Sequence, residues 1–319
     1  MKKSWMGWLA GAIALTSVAA SAQTFPDRTV TIIVPYATGG VTDAYGRAIA
    51  GRLSEMWGQP VIVDNKAGGG TVIGTQLASR AAPDGYTLLL TSYGFTSNPI
   101  LRKSMPYSSD AFEPLLLLGK SANMLVLGPQ SKLNTLDDVI RHAKSAPGAL
   151  KVASSGNASS PHIAAELWAK EVGVEITHLP YRGTGPAMID VMGGVVDGIF
   201  DGPSAMPQVR EGRLKAIAIA ADKRHPAAAE VPTFRELGVD LAFGSWFGFF
   251  VPAGMPPALR DKINADIRKA LEDPKARAQI DRTGLILNPG TPKEFGEFLK
   301  VESDRLKALV DGGAKIAIE

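Results

Sequence analysis

The stretch TVTIIVPYATGGVTD, residues 29–43, passes from a β-branched run (Val30 to Val34) through Pro35-Tyr36 into a turn carrying Gly39 and Gly40. A helical pattern then runs from Thr42 to Trp57 and closes at Gly58. A buried strand, a glycine turn and a helix in that order open an α/β unit, and the same order repeats outward from it. Val61-Ile62-Val63 is a second strand, Gly68-Gly69-Gly70 opens a helix through Ala81, and Tyr86–Thr91 is a third strand. The pattern restarts after Leu115–Gly119 and Met124–Gly128, with Thr135 as a helix cap and strands at Lys151–Ala153, Ile176–Leu179, Gly198–Phe200 and Leu214–Ala220. Phe247–Val251 leads into a proline-rich loop, followed by helical segments at Ala258–Glu272, Pro274–Arg282 and Pro292–Asp311.

Apolar strands separated by helices predict parallel sheets covered on both faces. Two such series, with the C-terminal end returning to the first, predict two α/β lobes: 23–122 plus 246–319, and 123–245. Ligands of such folds bind at the carboxyl ends of strands, where helix N-termini face a cleft.

Composition narrows the chemistry. The 319 residues are 45% hydrophobic and 20% charged, which excludes a disordered chain. The absence of cysteine excludes a disulfide framework, thiolate zinc sites, iron–sulfur clusters and a cysteine nucleophile. Lys2-Lys3, an uncharged stretch from Trp8 to Ala20 and Ala20-Ser21-Ala22 form a signal peptide, with cleavage expected between Ala22 and Gln23. Thirteen helical residues reach only about 20 Å, short of the roughly 30 Å hydrocarbon core. Cleavage lowers the formal charge from +3 to +1, so net charge makes no case for nucleic-acid or membrane binding. An exported, cysteine-free chain fits a bacterial periplasm.

Three strand-to-helix turns gather candidate ligand groups. The first offers Tyr36, Thr38, Gly39, Gly40, Thr42 and Asp43; the second, serine-rich, offers Ser155, Gly156, Asn157, Ser159, Ser160 and His162. The third offers Tyr181, Arg182 and Gly183. Glycines admit close backbone approach, and a helix start presents unpaired N–H groups and a partial positive charge. The turns are rich in neutral donors, and Arg182 is their only guanidinium, so they point to a small anion.

Other chemistries lack their residues. Gly68-Gly69-Gly70 has no Gly-Lys-Ser/Thr ending, and Gly244-Ser245-Trp246-Phe247-Gly248 has tryptophan where a nucleophile elbow needs serine. His142, His162, His178 and His225 show no zinc-ligand spacing, and no basic run interleaves with aromatics.

The segments VTIIVPYATGGVTDAYGRAIA, GQPVIVDNKAGGGTVIGTQLASRAAPDGYTLLL, KVASSGNASSPHIAAELW, HLPYRGTGPAMIDVMGGVVDGIFD and SWFGFFVPAGMPP resemble, in order and over nearly all the mature chain, the tripartite tricarboxylate transporter substrate-binding proteins, the Bug family. The resemblance implies a type II periplasmic-binding-protein fold of two lobes closing on a carboxylate, without cofactor or metal. It also implies a large and a small integral membrane subunit as partners of a monomeric receptor. It assigns the ligand to Thr38, Gly39, Gly40 and Asp43 from one lobe and Ser155, Gly156, Asn157, Ser159, Ser160 and His162 from the other. Tyr181, Arg182, Gly183 and Asp201 stand at the rim, and Gly70 and Tyr93 come from the remaining first-lobe turns. Three departures touch specificity: Tyr36 where phenylalanine is common, Arg182 where lysine is frequent, and Asp201-Gly202 where Asp-Asn is usual. Two alternatives stay open: a sensor that passes its closed state to a signalling partner, and a serine hydrolase using the 154–160 turn with His162 as base.

Overall fold

The computed structural model describes residues 25–313 and Ile316; the expected signal peptide lies outside the described residues. The first sheet is built from β1 (Val30–Val34), β2 (Val61–Asn65) and β3 (Thr87–Ser92), joined by α1 (Val41–Trp57) and α2 (Val72–Ser79). After β3 come α3 (Gly94–Leu101) and the long β4 (Phe112–Ala122). The second sheet holds β5 (Met124–Leu127), β6 (Lys151–Ser154), β7 (Thr177–Pro180), β8 (Gly198–Asp201) and β9 (Lys215–Ile219). Its helices are α4 (Leu136–Ser145), α5 (Ser160–Val172), α6 (Thr184–Gly193) and α7 (Met206–Arg210). The chain then returns to the first sheet through β10 (Gly244–Pro252), α8 (Pro257–Ala270), α9 (Pro274–Asp281), β11 (Ile286–Leu287) and α10 (Pro292–Asp311). The sheet orders are β11-β4-β10-β3-β1-β2 and β7-β6-β8-β5-β9.

The parallel expectation holds only on one side of each sheet, the side that ends in β2 and the side that ends in β7. β1 pairs in parallel with β2 and β3, and β6 with β7 and β8. β10 runs antiparallel to β3 and β4, and β5 runs antiparallel to β8 and β9. The chain changes lobes through antiparallel strands: it leaves through β4, Asn123 and β5, and returns through β10; β11 adds a further antiparallel pairing at the edge beside β4. Outgoing and incoming chain run in opposite directions, so adjacent crossing segments pair antiparallel. Asn123 N donates to Phe243 O (3.1 Å), Phe243 N to Ala220 O (3.0 Å), and Ala220 N to Asn123 O (2.7 Å), tying the crossings together.

Side-chain alternation explains why the first-lobe strands read as continuous apolar runs. Ile32, Val34, Leu88 and Leu90 pack with Ile49 and Leu53 of α1 on one face of the sheet. Ile33 and Leu89 join the opposite core, which continues through Trp246 and Phe250 to Trp168 and Phe200 of the second lobe. Short α3 carries Pro99 inside it, which is why the sequence shows no helix there.

Candidate functional site

Each lobe aims loops at the other, and the loops touch. Ala37 N donates to Arg182 O across the gap (2.8 Å), and Ser97 Oγ donates to Ala158 O. Glycines make the approach possible: a Cβ on Gly70, whose φ is +61°, would stand 2.4 Å from Asn157 O, and one on Gly185 3.2 Å from Thr38 O. The lobes are therefore closed on one another, around a cavity of about 40 Å³.

Three helices begin at this cavity. Gly40, Val41 and Thr42 of α1, Ser160 and Pro161 of α5, and Thr184 of α6 all line it. None of the three helix starts, at Gly40, Ser159 and Gly183, has a side-chain cap. Their first-turn N–H groups are left without intrahelical acceptors, and the helix dipoles put partial positive charge at the same place. Hydroxyls of Ser92, Ser155, Ser204, Ser245 and Thr283 complete a wall that contains no lysine, arginine or histidine. Such a wall can hold an anion by neutral donors alone.

The other cavity groups are phenols and one acid. Tyr36 shares a 2.6 Å hydrogen bond with Ser92, and Tyr45 a 2.8 Å bond with Thr283; burial raises both phenols above their ordinary range. Asp201 closes β8 and is only 6% exposed. Burial pushes its carboxyl up to about 6, against the pull of the Gly202 N–H and of Ser204 Oγ at 3.1 Å.

Of the residues expected from sequence, the structure brings Tyr36, Gly40, Thr42, Ser155, Ser160 and Asp201 together in the cavity wall. Others build the turns behind it. Asp43 accepts from Gly39 N (3.0 Å) and Arg47 Nε (3.1 Å). Burial opposes its ionisation, but Arg47, Gly39 and Asn65 outweigh burial and hold the carboxyl below the usual range. Thr38 is exposed and donates to Asn65 Oδ1 (3.2 Å). Gly70, Gly156, Asn157 and Gly183 lie where the lobes meet.

The remaining residues point elsewhere. The Arg182 side chain is exposed, and its backbone carbonyl makes the interlobe contact. Tyr181 donates to Asp190 (2.6 Å), and Tyr93 packs edge-on against Phe243. Ser159 is buried beside Ser160 but is not part of the cavity wall. His162 is fully buried beneath the serine turn, stacked on His178 at 3.7 Å, and its Nδ1 accepts from Ala158 N (3.2 Å). That bond fixes Ala158, the one residue of the turn with positive φ (+62°) that is not glycine. His178 in turn shares a 2.6 Å bond with the buried hydroxyl of Ser154. The histidines thus act as props for the turn, and among the described residues no group of three or more His, Asp or Glu is placed to hold a metal.

Sequence reading missed Tyr45, Ser92, Ser121, Asn123, Thr184, Ser204, Ser245 and Thr283. Tyr45 lies three residues after Thr42, on the same helix face, and that spacing could have found it. Ser121, Asn123 and Ser245 sit where the strands cross, and Thr283 arrives from a distant loop; these carry no local signal.

Two α/β lobes linked by crossing strands and closed over a donor-lined cavity define a cleft-binding receptor. The family profile described as "Tripartite tricarboxylate transporter family receptor" matches residues 46–313. Protein BugT of Bordetella pertussis is 35% identical, over 95% of this chain and 96% of its own. The periplasmic binding protein BugD superposes with TM-score 0.86 at 30% identity, covering 91% of this chain and 99% of its own. Rpa4515 of R. palustris, solved with adipate, gives 0.85 at 28% identity, over 90% and 97%. MatC of Rhodopseudomonas palustris, with bound malate, gives 0.83 at 31% identity, over 90% and 100%. The chain belongs to the tripartite tricarboxylate transporter receptor family, whose members are periplasmic solute-binding proteins and not enzymes.

Proposed function

We propose that this protein captures a small organic mono- or dicarboxylate between its lobes and delivers it, by lobe closure, to a membrane transporter with one large and one small integral subunit. The mature chain starts at Gln23 in the periplasm, and lobes 23–122 plus 246–319 and 123–245 close as a monomer. The observation that carries this reading is the meeting of three uncapped helix starts, from both lobes, at one cavity without a basic side chain. A carboxylate satisfies those donors with charge-assisted hydrogen bonds. Gly40, Thr42, Ser155, Ser160 and Thr184 are assigned to its carboxylate, and Tyr36 and Asp201 to its other end. The acids bound by the adipate and malate receptors support the ligand class.

The test is thermal stabilisation and calorimetry with formate, acetate, succinate, malate, glutarate and adipate. A ligand present at a hundred times its Kd raises unfolding free energy by about 2.7 kcal/mol, so true ligands stand clear of the rest. If no acid stabilises the protein, the reading fails. Copurification of the receptor with the two integral subunits, favoured by the stabilising acid, tests delivery; acid-independent association would count against closure as the docking signal.

A further inference from the structure

The cavity wall contains one ionisable acid and no base. Asp201 faces it from the end of β8, held by Ser204 Oγ and the Gly202 N–H, with Met124 of β5 paired opposite. The other groups around it are neutral: the phenols of Tyr36 and Tyr45 from the first lobe, and Ser121, Asn123 and Ser245 from the crossings. A captured carboxylate therefore brings a second negative charge into the cavity that Asp201 lines. Two carboxylates so confined do not both stay ionised, and their titrations become coupled. The ligand's charge is met by helix-start N–H groups, whereas burial already disfavours the charge on Asp201.

We infer that Asp201 takes up a proton from solvent as the lobes close on a carboxylate, and then presents its acid O–H to the bound ligand. This rests on the receptor reading above. The bookkeeping is simple: one proton leaves solvent for a carboxylate oxygen of Asp201, and no other bond is made or broken. Binding is then tighter as pH falls and levels off only where Asp201 of the open receptor is already protonated, at a pH no higher than the value of about 6 that burial gives it in the closed lobes. Asp201 also sets specificity, since a neutral acid O–H suits an oxygen of the ligand's far end and leaves an ammonium group without a counter-charge.

Calorimetry of adipate and malate at pH 7.5, in phosphate and in Tris, counts the protons through the different ionisation heats of the buffers. About one proton taken up per ligand is expected, with Kd weakening by up to tenfold per pH unit between 7 and 8.5. Asp201→Asn donates without needing a proton, so it should bind at least tenfold more tightly than wild type at pH 8.5, with no uptake and a flat pH profile. Ser204→Ala keeps the carboxyl but loses a donor that favours its charged form, so its uptake should move to higher pH; this variant decides the matter if the asparagine variant does not fold. Binding without proton uptake overturns the role of Asp201 and leaves the receptor reading standing. Loss of binding in a folded Asp201→Asn overturns it too, because an ionised Asp201 must then accept from a ligand donor. Failure of every acid to bind overturns both.

Discussion

The helices α4, α9 and α10 begin in solvent, and α1, α5 and α6 begin at the cavity. The first three are capped by their own side chains. Thr135 and Asp138 form a reciprocal capping box on α4, Thr291 and Glu294 do the same on α10, and Asp273 accepts from Lys275 N and Ala276 N on α9. The second three start at Gly40, Ser159 and Gly183 with no side-chain cap. Every helix start leaves orphan donors. At α4, α9 and α10 the chain satisfies them with its own side chains; at α1, α5 and α6 it leaves them open toward the cavity. A receptor for anions without a basic residue in its pocket works by that division.

The comparison breaks most sharply if a cavity helix is given its own cap. Gly40 has extended N-cap geometry (φ −84°, ψ 171°), and a Cβ there meets only ordinary contacts, the nearest at 3.7 Å. Gly40→Asp should fold within about 1 kcal/mol of wild type, since glycine and aspartate differ little as N-caps. Its built-in carboxylate should occupy the α1 donors and repel the ligand, lowering carboxylate affinity at least a hundredfold. Calorimetry beside a thermal melt checks both halves; unimpaired binding would show that α1 does not hold the anion.

A milder change removes one donor. Val41 is the first residue of α1, a position where proline is tolerated, and the extended Gly40 before it is compatible with proline. Val41→Pro deletes one N–H with the helix intact. A hydrogen bond to a charged group is worth about 1.5–3 kcal/mol, so affinity should fall roughly 10- to 150-fold while stability changes little. Equal affinity would show that the Val41 N–H does not hold the anion.

The two helix classes were unequally legible in the sequence. Thr135 before an acidic first turn announces a capped helix and the glycine and serine turns mark uncapped ones, whereas a proline in the first turn separates nothing, standing in capped α10 and uncapped α5 alike. Strand direction was not legible: β10 carries the same apolar pattern as a parallel strand, and only the crossing between lobes makes it antiparallel. Arg182 shows the limit for charge. Its guanidinium suits a carboxylate and is expected at the cleft rim, yet the turn places the side chain in solvent and uses its carbonyl. Tyr45 and Thr283 lie 238 residues apart and meet in one hydrogen bond, a pairing that no local pattern encodes.

The capped class should respond in stability and not in binding. Thr135→Ala and Thr291→Ala each remove a side-chain acceptor from a helix start, at a cost of about 1 kcal/mol. Melting should drop by roughly 2–4 °C for each, with carboxylate affinity unchanged. A change in affinity would mean that these peripheral helices are coupled to the cavity.

The smallest effect separates the turns that the two lobes bring to the cavity. The first-lobe turn is held by Asp43, whose carboxyl lies below its ordinary range, so its contribution is present above the unfolded value near 4 and is lost only as pH falls beneath it. The second-lobe turn is propped by stacked His162 and His178, and burial, with His162 alongside, pushes the His178 pKa down to about 3. A depressed histidine stabilises fully above its unfolded value of about 6.5 and loses that contribution as pH falls toward 3. Between pH 6.5 and 5.5 the loss should be below about 1 kcal/mol and confined to the second lobe. Hydrogen exchange corrected for intrinsic rates reads it directly. Protection of Ala158 N–H, bonded to His162, should fall across that interval while Gly39 N–H, bonded to Asp43, holds until below pH 4. Parallel loss at both amides would mean that the turns yield together, and that the histidine pair does not govern the serine turn by itself.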